Sequence, residues 1–168
     1  IMLTGINQVP SRVIARNAGI RRILSKPVAG YTLRTTLIDE WSQRRAESGD
    51  SADRDQQETE QDSGIDGDYR VLIAEDNAIS TKVILGMLAK LGVSATAVDN
   101  GARAVEAVQQ QSFDLVLMDC EMPEMDGFTA AEQIRRWEQR SGTQPIPVIA
   151  LTAHILPEHR ERARKAGM

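Results

Sequence analysis

In residues 70–168 short apolar runs alternate with longer mixed stretches, and this alternation limits the possible folds more than any other feature. The runs are "RVLIA" (70–74), "VSATAV" (93–98), "FDLVLMD" (113–119) and "IPVIALT" (146–152). Between and after them come "AISTKVILGMLAKLG" (78–92), "ARAVEAVQQQ" (102–111), "FTAAEQIRRWEQR" (128–140) and "PEHRERARKAG" (157–167). Runs that are apolar throughout, rather than at every second residue, predict strands covered on both faces. Strands of this length separated by helix-length stretches predict βαβ units and a parallel sheet. The expected fold class is therefore α/β, a doubly wound parallel sheet. On the first helix Ile79, Val83, Met87 and Leu91 recur at helical spacing and mark the expected buried face, with Gly92 as the stop. Asn100-Gly101 reads as a turn, and "MPEMDG" as a loop broken by Pro123 and Gly127.

Residues 1–42 follow the same grammar on a smaller scale. "IMLT" reads as a strand end, "PSRVIARNAG" as a helix, "RRILSKPV" as a strand leaving through Lys26-Pro27, and "YTLRTTLIDEW" as a helix. Its positions Leu33, Leu37 and Trp41 share one face. Two strands and two helices enclose too little core to stand alone. Residues 43–69 hold nine acids and three arginines, a local charge of −6 in a chain of net −4. With only Ala46, Ala52, Ile65 and Tyr69 to bury, this stretch is expected to be an acidic disordered linker.

The rest of the chain carries +2, with no basic stripe among its few aromatics, which argues against a nucleic-acid partner. No apolar run approaches the roughly 18 residues that span a bilayer. The single Cys120 excludes an internal disulfide and fits a reducing compartment.

Three chemical features fall at strand ends: Glu75 and Asp76 in "AEDN", Asp119 in "LVLMDCEMPEMDG", and Thr152 in "ALTAH". In open parallel sheets the carboxyl ends of the strands line the binding crevice. Three carboxylates would then crowd together, an arrangement that a hard cation such as Mg²⁺ relieves. A carboxylate beside such an ion is also a nucleophile towards phosphorus, with a hydroxyl such as Thr152 available to the phosphoryl oxygens. Taken singly, each feature has a plainer reading: a solvated acid pair, a turn-initiating aspartate, or a strand-end threonine.

Together these residues make 70–168 resemble a response-regulator receiver domain, the phosphoacceptor module of two-component signalling, of the kind found as tandem receivers in bacterial hybrid sensor histidine kinases. The resemblance implies a flavodoxin-like sheet of strand order 2-1-3-4-5. It implies phosphorylation of Asp119 and Mg²⁺ bound by Asp76, Asp119 and the main-chain carbonyl of Glu121, with Glu75 acting through water. It also implies a switch role for Thr152 and tuning of dephosphorylation by Glu121 and His154. The implied donor is a phosphohistidine on a kinase domain or a histidine phosphotransfer protein. The implied location is cytoplasmic, in a parent sensor kinase that is itself the phosphotransferase. The resemblance further implies that the module assists its own aspartyl phosphorylation and dephosphorylation.

A receiver also needs a lysine followed by proline at the end of a fifth strand, and 70–168 contains none. Residues 1–42 resemble that missing portion: fourth strand, fourth helix, fifth strand, fifth helix. Thr4 matches the switch threonine and Lys26-Pro27 the phosphate-pairing lysine. With an offset of 148, residues 1–20 and 149–168 are identical at eight of twenty positions, Thr4/Thr152 and Gly19/Gly167 among them. Ile23 stands where such receivers often have Tyr or Phe.

Two arrangements follow: the end of a preceding receiver, or a segment that completes the second one, with homodimeric or domain-swapped pairing as a further form. A phosphorylation-independent docking or inhibitory module is the alternative function. A haloacid-dehalogenase-type phosphatase fits poorly, because Asp119-Cys120-Glu121-Met122 lacks its second aspartate.

Overall fold

The computed structural model of this chain describes residues 23–47, 68–153 and 157–168. In chain order the elements are β1 (Ile23–Ser25), α1 (Gly30–Glu47), β2 (Arg70–Ala74), α2 (Ala78–Lys90) and β3 (Ser94–Val98). They continue with α3 (Gly101–Gln110), β4 (Leu115–Asp119), α4 (Gly127–Ser141), β5 (Val148–Thr152) and α5 (Pro157–Lys165). All strand pairs are parallel, in the spatial order β1-β5-β4-β2-β3. Counting from β2 as the first strand and placing β1 last, this is the expected 2-1-3-4-5. Among the described residues no helix is long and apolar enough to cross a membrane.

Successive side chains of the central strands point to opposite faces and build two cores. Val116 and Met118 of β4, with Val148 and Ala150 of β5, meet α3 and α4 through Ala104, Val108, Ala131 and Ile134. Leu115, Leu117, Ile149 and Leu151 meet Ile84 and Leu88 of α2 on the other face, together with Leu33, Leu37 and Trp41 of α1. The segment before the acidic stretch is thus built into the second core. Ile23, Leu24 and Ser25 lie in register with Ala150, Leu151 and Thr152, and the Lys26 amide donates to the Thr152 carbonyl at 2.8 Å.

Four sequence expectations change in detail. The face of α2 is half as expected: Met87 and Leu91 pack partly buried against the second core, but Ile79 and Val83 are exposed, at 76% and 48%, and Ile84 and Leu88 are buried in their place. Helix α1 runs through Glu47, past the boundary expected at 42, since Gln43, Arg44, Arg45, Ala46 and Glu47 are all good helix formers. Tyr69, assigned to the linker, stacks on Trp41 with ring centroids 3.9 Å apart. The Asn100-Gly101 pair is also more than a turn, because the Asn100 side chain caps α3 by accepting from the Arg103 amide.

A buried polar cluster closes the far end of the domain. The Arg135 guanidinium donates to both Glu138 oxygens (2.9 and 2.8 Å), to the Ile146 carbonyl (2.8 Å) and to the Gly167 carbonyl (2.8 Å). Glu138 in turn accepts from the Ile146 amide at 2.7 Å. Truncating Glu138 to Ala leaves the Ile146 amide without its acceptor and the half-buried Arg135 guanidinium without its counter-ion. The expected loss is about 2–3 kcal/mol, to be read from a urea unfolding midpoint.

Candidate active site

The carboxyl ends of β2, β4 and β5 open on one crevice, as the parallel topology requires. Asp119 is the last residue of β4, Glu75 and Asp76 directly follow β2, and Thr152 ends β5. One oxygen each from Glu75, Asp76 and Asp119 lie within 4.8 Å of one another. Glu75, Asp119 and Thr152 are buried and Asp76 is exposed.

Lys26 enters this crevice from the end of β1. Its Nζ lies 2.5 Å from Asp119 Oδ2 and 2.9 and 2.7 Å from the two Glu75 oxygens. Burial disfavours the ammonium, but the hydrogen bonds to Asp119 and Glu75 outweigh it and raise the Lys26 pKa. Burial pushes the Glu75 carboxyl up; the Lys26 hydrogen bond opposes this, and the neighbouring Asp119 charge adds to it. Cys120, behind the site, is buried beside Asp119 and its thiol is pushed up to about 12, so it is chemically quiet.

Local structure fixes Asp119 and Glu75. The Glu121 amide donates to Asp119 Oδ1 at 3.2 Å, and the Asn77 amide to Glu75 Oε1 at 3.3 Å. Asn77 caps α2 by accepting from the Ile79 and Ser80 amides, and Thr81 Oγ1 donates to the Glu75 carbonyl at 3.3 Å. Sequence reasoning missed Asn77 and Thr81, although an Asn just ahead of an apolar helix is a capping signal. It also took Gly127 for a loop breaker, whereas Gly127 opens α4. A Cβ there would lie 2.0 Å from the Asp119 main-chain oxygen. Exposed Glu121 borders the crevice; Thr4 and His154 lie outside the described residues.

The donor set fits a hard divalent cation. All candidate ligands are oxygens and their like charges repel. Glu75 Oε2, although in ionic contact with Lys26, is buried and accepts no well-directed hydrogen bond.

Residues 71–168 match the family described as the response regulator receiver domain. The chain belongs to this family. Over 147 residues it is 36% identical to the sensor histidine kinase GacS of Pseudomonas protegens, covering 88% of this chain and 15% of that protein. This coverage is too large for the receiver alone, so the match extends into the residues ahead of it. It is 41% identical over 98 residues to the hybrid signal transduction protein dokA of Dictyostelium discoideum, 58% of this chain and 6% of that protein. The chain therefore spans a small part of these curated relatives.

Solved receivers share the fold. The receiver of the Pseudomonas aeruginosa sensor kinase PA1611, with a magnesium ion in its active-site cleft, matches at TM-score 0.55 and 39% identity, over 61% of this chain and 81% of that one. A complex of the Saccharomyces cerevisiae phosphotransfer protein Ypd1 with the Ssk1 receiver matches at TM-score 0.57 and 32% identity, over 60% and 74%. The receiver is thus a phosphorelay module by family, with its acids at the expected strand ends.

Proposed function

We propose that Asp119 accepts a phosphoryl group from the phosphohistidine of a kinase domain or a histidine phosphotransfer protein, and that Ile23–Glu47 completes the site by delivering Lys26. The observation that carries this reading is the Lys26 ammonium, held between Asp119 and Glu75 by a strand that pairs with β5. Asp76, Asp119 and the Glu121 main-chain carbonyl would hold Mg²⁺, with Glu75 acting through water. When bound, the ion neutralises the phosphoryl oxygens and the crowded acids.

In the transfer an Asp119 oxygen attacks phosphorus. The O–P bond forms as the N–P bond breaks, and the bonding pair stays on the imidazole nitrogen. Lys26 shifts its ammonium from the carboxylate to the phosphoryl oxygens, so the added charge meets a partner already in place. The Thr152 hydroxyl donates to a further phosphoryl oxygen. Thr4 and His154 would act on a neighbouring receiver and on dephosphorylation, respectively. The likeness to the curated kinases supports a parent hybrid sensor kinase with this segment on the cytoplasmic side.

Incubation with acetyl phosphate and Mg²⁺ should give one acid-stable, base-labile phosphoryl group per chain. Chelation with EDTA should lower the label at least tenfold. Equal labelling with and without the metal would refute the Mg²⁺ site. No labelling from either acetyl phosphate or a phosphohistidine protein would favour the phosphorylation-independent docking module.

A further inference from the structure

We propose that the β5 edge is a seat from which Ile23–Glu47 can be exchanged between copies of this chain, so that Lys26 of one copy serves Asp119 of another. The proposal deepens the reading of Lys26 given above, but its physical basis is independent of phosphorylation.

The unit is held by contacts that do not depend on which molecule supplies it. They are a three-residue parallel ladder, the Lys26 amide on the Thr152 carbonyl, the ammonium on two carboxylates, and one apolar helix face. Covalent continuity with the rest of the domain runs only through residues 48–67. A unit donated by a second copy would make the same contacts with the same energies, which is the condition for element swapping. The seat also favours refilling. Every residue of β5 is buried, and without β1 this strand becomes an open apolar edge, the kind of edge that recruits another strand. The complementary strand closest at hand is the same unit on a neighbouring copy, which presents Leu24, Leu33, Leu37 and Trp41 and ends in the lysine that balances Glu75 and Asp119.

Chain length sets the balance. The twenty residues 48–67 tether the unit to its own seat, at an effective concentration on the order of 1 mM. Closed monomers should dominate at about 10 µM, and exchanged pairs should become a sizeable fraction near 1 mM.

The test reads the seat directly. A Cβ on Gly30 of α1 would lie 4.0 Å from Met87 Sδ of α2, so Gly30→Cys and Met87→Cys place thiols within reach of a short bis-maleimide. Buried Cys120, with its raised pKa, does not compete. A chain carrying both cysteines should cross-link within itself and run as a monomer. Chains carrying one cysteine each, mixed and incubated, should yield a dimer-sized product. That product should increase at least tenfold between about 10 µM and 1 mM, and either variant alone should give none. Monomers only in the mixture, beside efficient cross-linking in the double variant, would overturn exchange. Failure of the double variant to cross-link would overturn the seat itself. Neither result depends on whether Asp119 accepts phosphate, so failure of the exchange and failure of the phosphoacceptor reading remain distinguishable.

Discussion

Replacing Asp119 with Asn should reduce acetyl phosphate labelling to background, a loss of at least a hundredfold. The carboxamide has nearly the shape of the carboxylate but lacks the anionic oxygen that attacks phosphorus. The fold should survive the change. Lys26 keeps Glu75 at 2.7–2.9 Å, and removing one of two adjacent buried acids also removes their mutual repulsion. Stability should therefore change by no more than about 1 kcal/mol, and a thermal melt beside the labelling assay separates lost chemistry from lost structure. Undiminished labelling in a folded Asp119→Asn chain would place the phosphoryl group on another residue.

Gly127→Ala should be the most damaging of the small substitutions. The added Cβ would sit 2.0 Å from the Asp119 main-chain oxygen and 2.9 Å from both its carbonyl carbon and Met118 Cγ. Two of these three atoms are backbone, in a strand buried on both faces, so the neighbours cannot simply rotate away. The Gly127 amide also donates to the Cys120 carbonyl at 3.2 Å, a bond that any shift of the helix start would stretch. The expected cost is about 2–4 kcal/mol, or roughly 5–15 °C in the melting midpoint. Because the same displacement moves Asp119, Mg²⁺ affinity should fall by at least tenfold in calorimetric titration. Gly86→Ala provides the contrast: a Cβ there meets nothing within 4 Å in the exposed middle of α2. That change should stabilise the domain by about 0.5–1 kcal/mol. Equal melting midpoints for the two variants would contradict the packing account.

Much of the receiver is legible in the sequence because parallel strands buried on both faces leave a plain signature. "LVLMD" has no polar alternation, and its terminal aspartate falls where the topology gathers chemistry. The buried face of α1 is also readable, since Leu33, Leu37 and Trp41 are its only apolar stripe of that length. Helix α2 carries two such stripes a fraction of a turn apart. Spacing alone does not say whether Ile79 and Val83, or Ile84 and Leu88, meet the sheet. The choice is made by packing against strands and against α1, which arrive from elsewhere in the chain. Lys26 shows a similar limit. Its distance from Thr4 suggests a receiver lysine, but Thr152 ends a closely similar strand, and sequence does not say which of the two the lysine joins. The Asn77 cap and the close approach at Gly127 depend on backbone positions set by the fold.

The central claim is that phosphate lands on Asp119. Borohydride reduces an aspartyl phosphate to homoserine, and peptide mass spectrometry then locates the converted residue. After incubation with acetyl phosphate and Mg²⁺, homoserine should be found at position 119 and at no other acid. Conversion at Glu75, Asp76 or an acid of the 43–69 stretch, with Asp119 intact, would contradict the account.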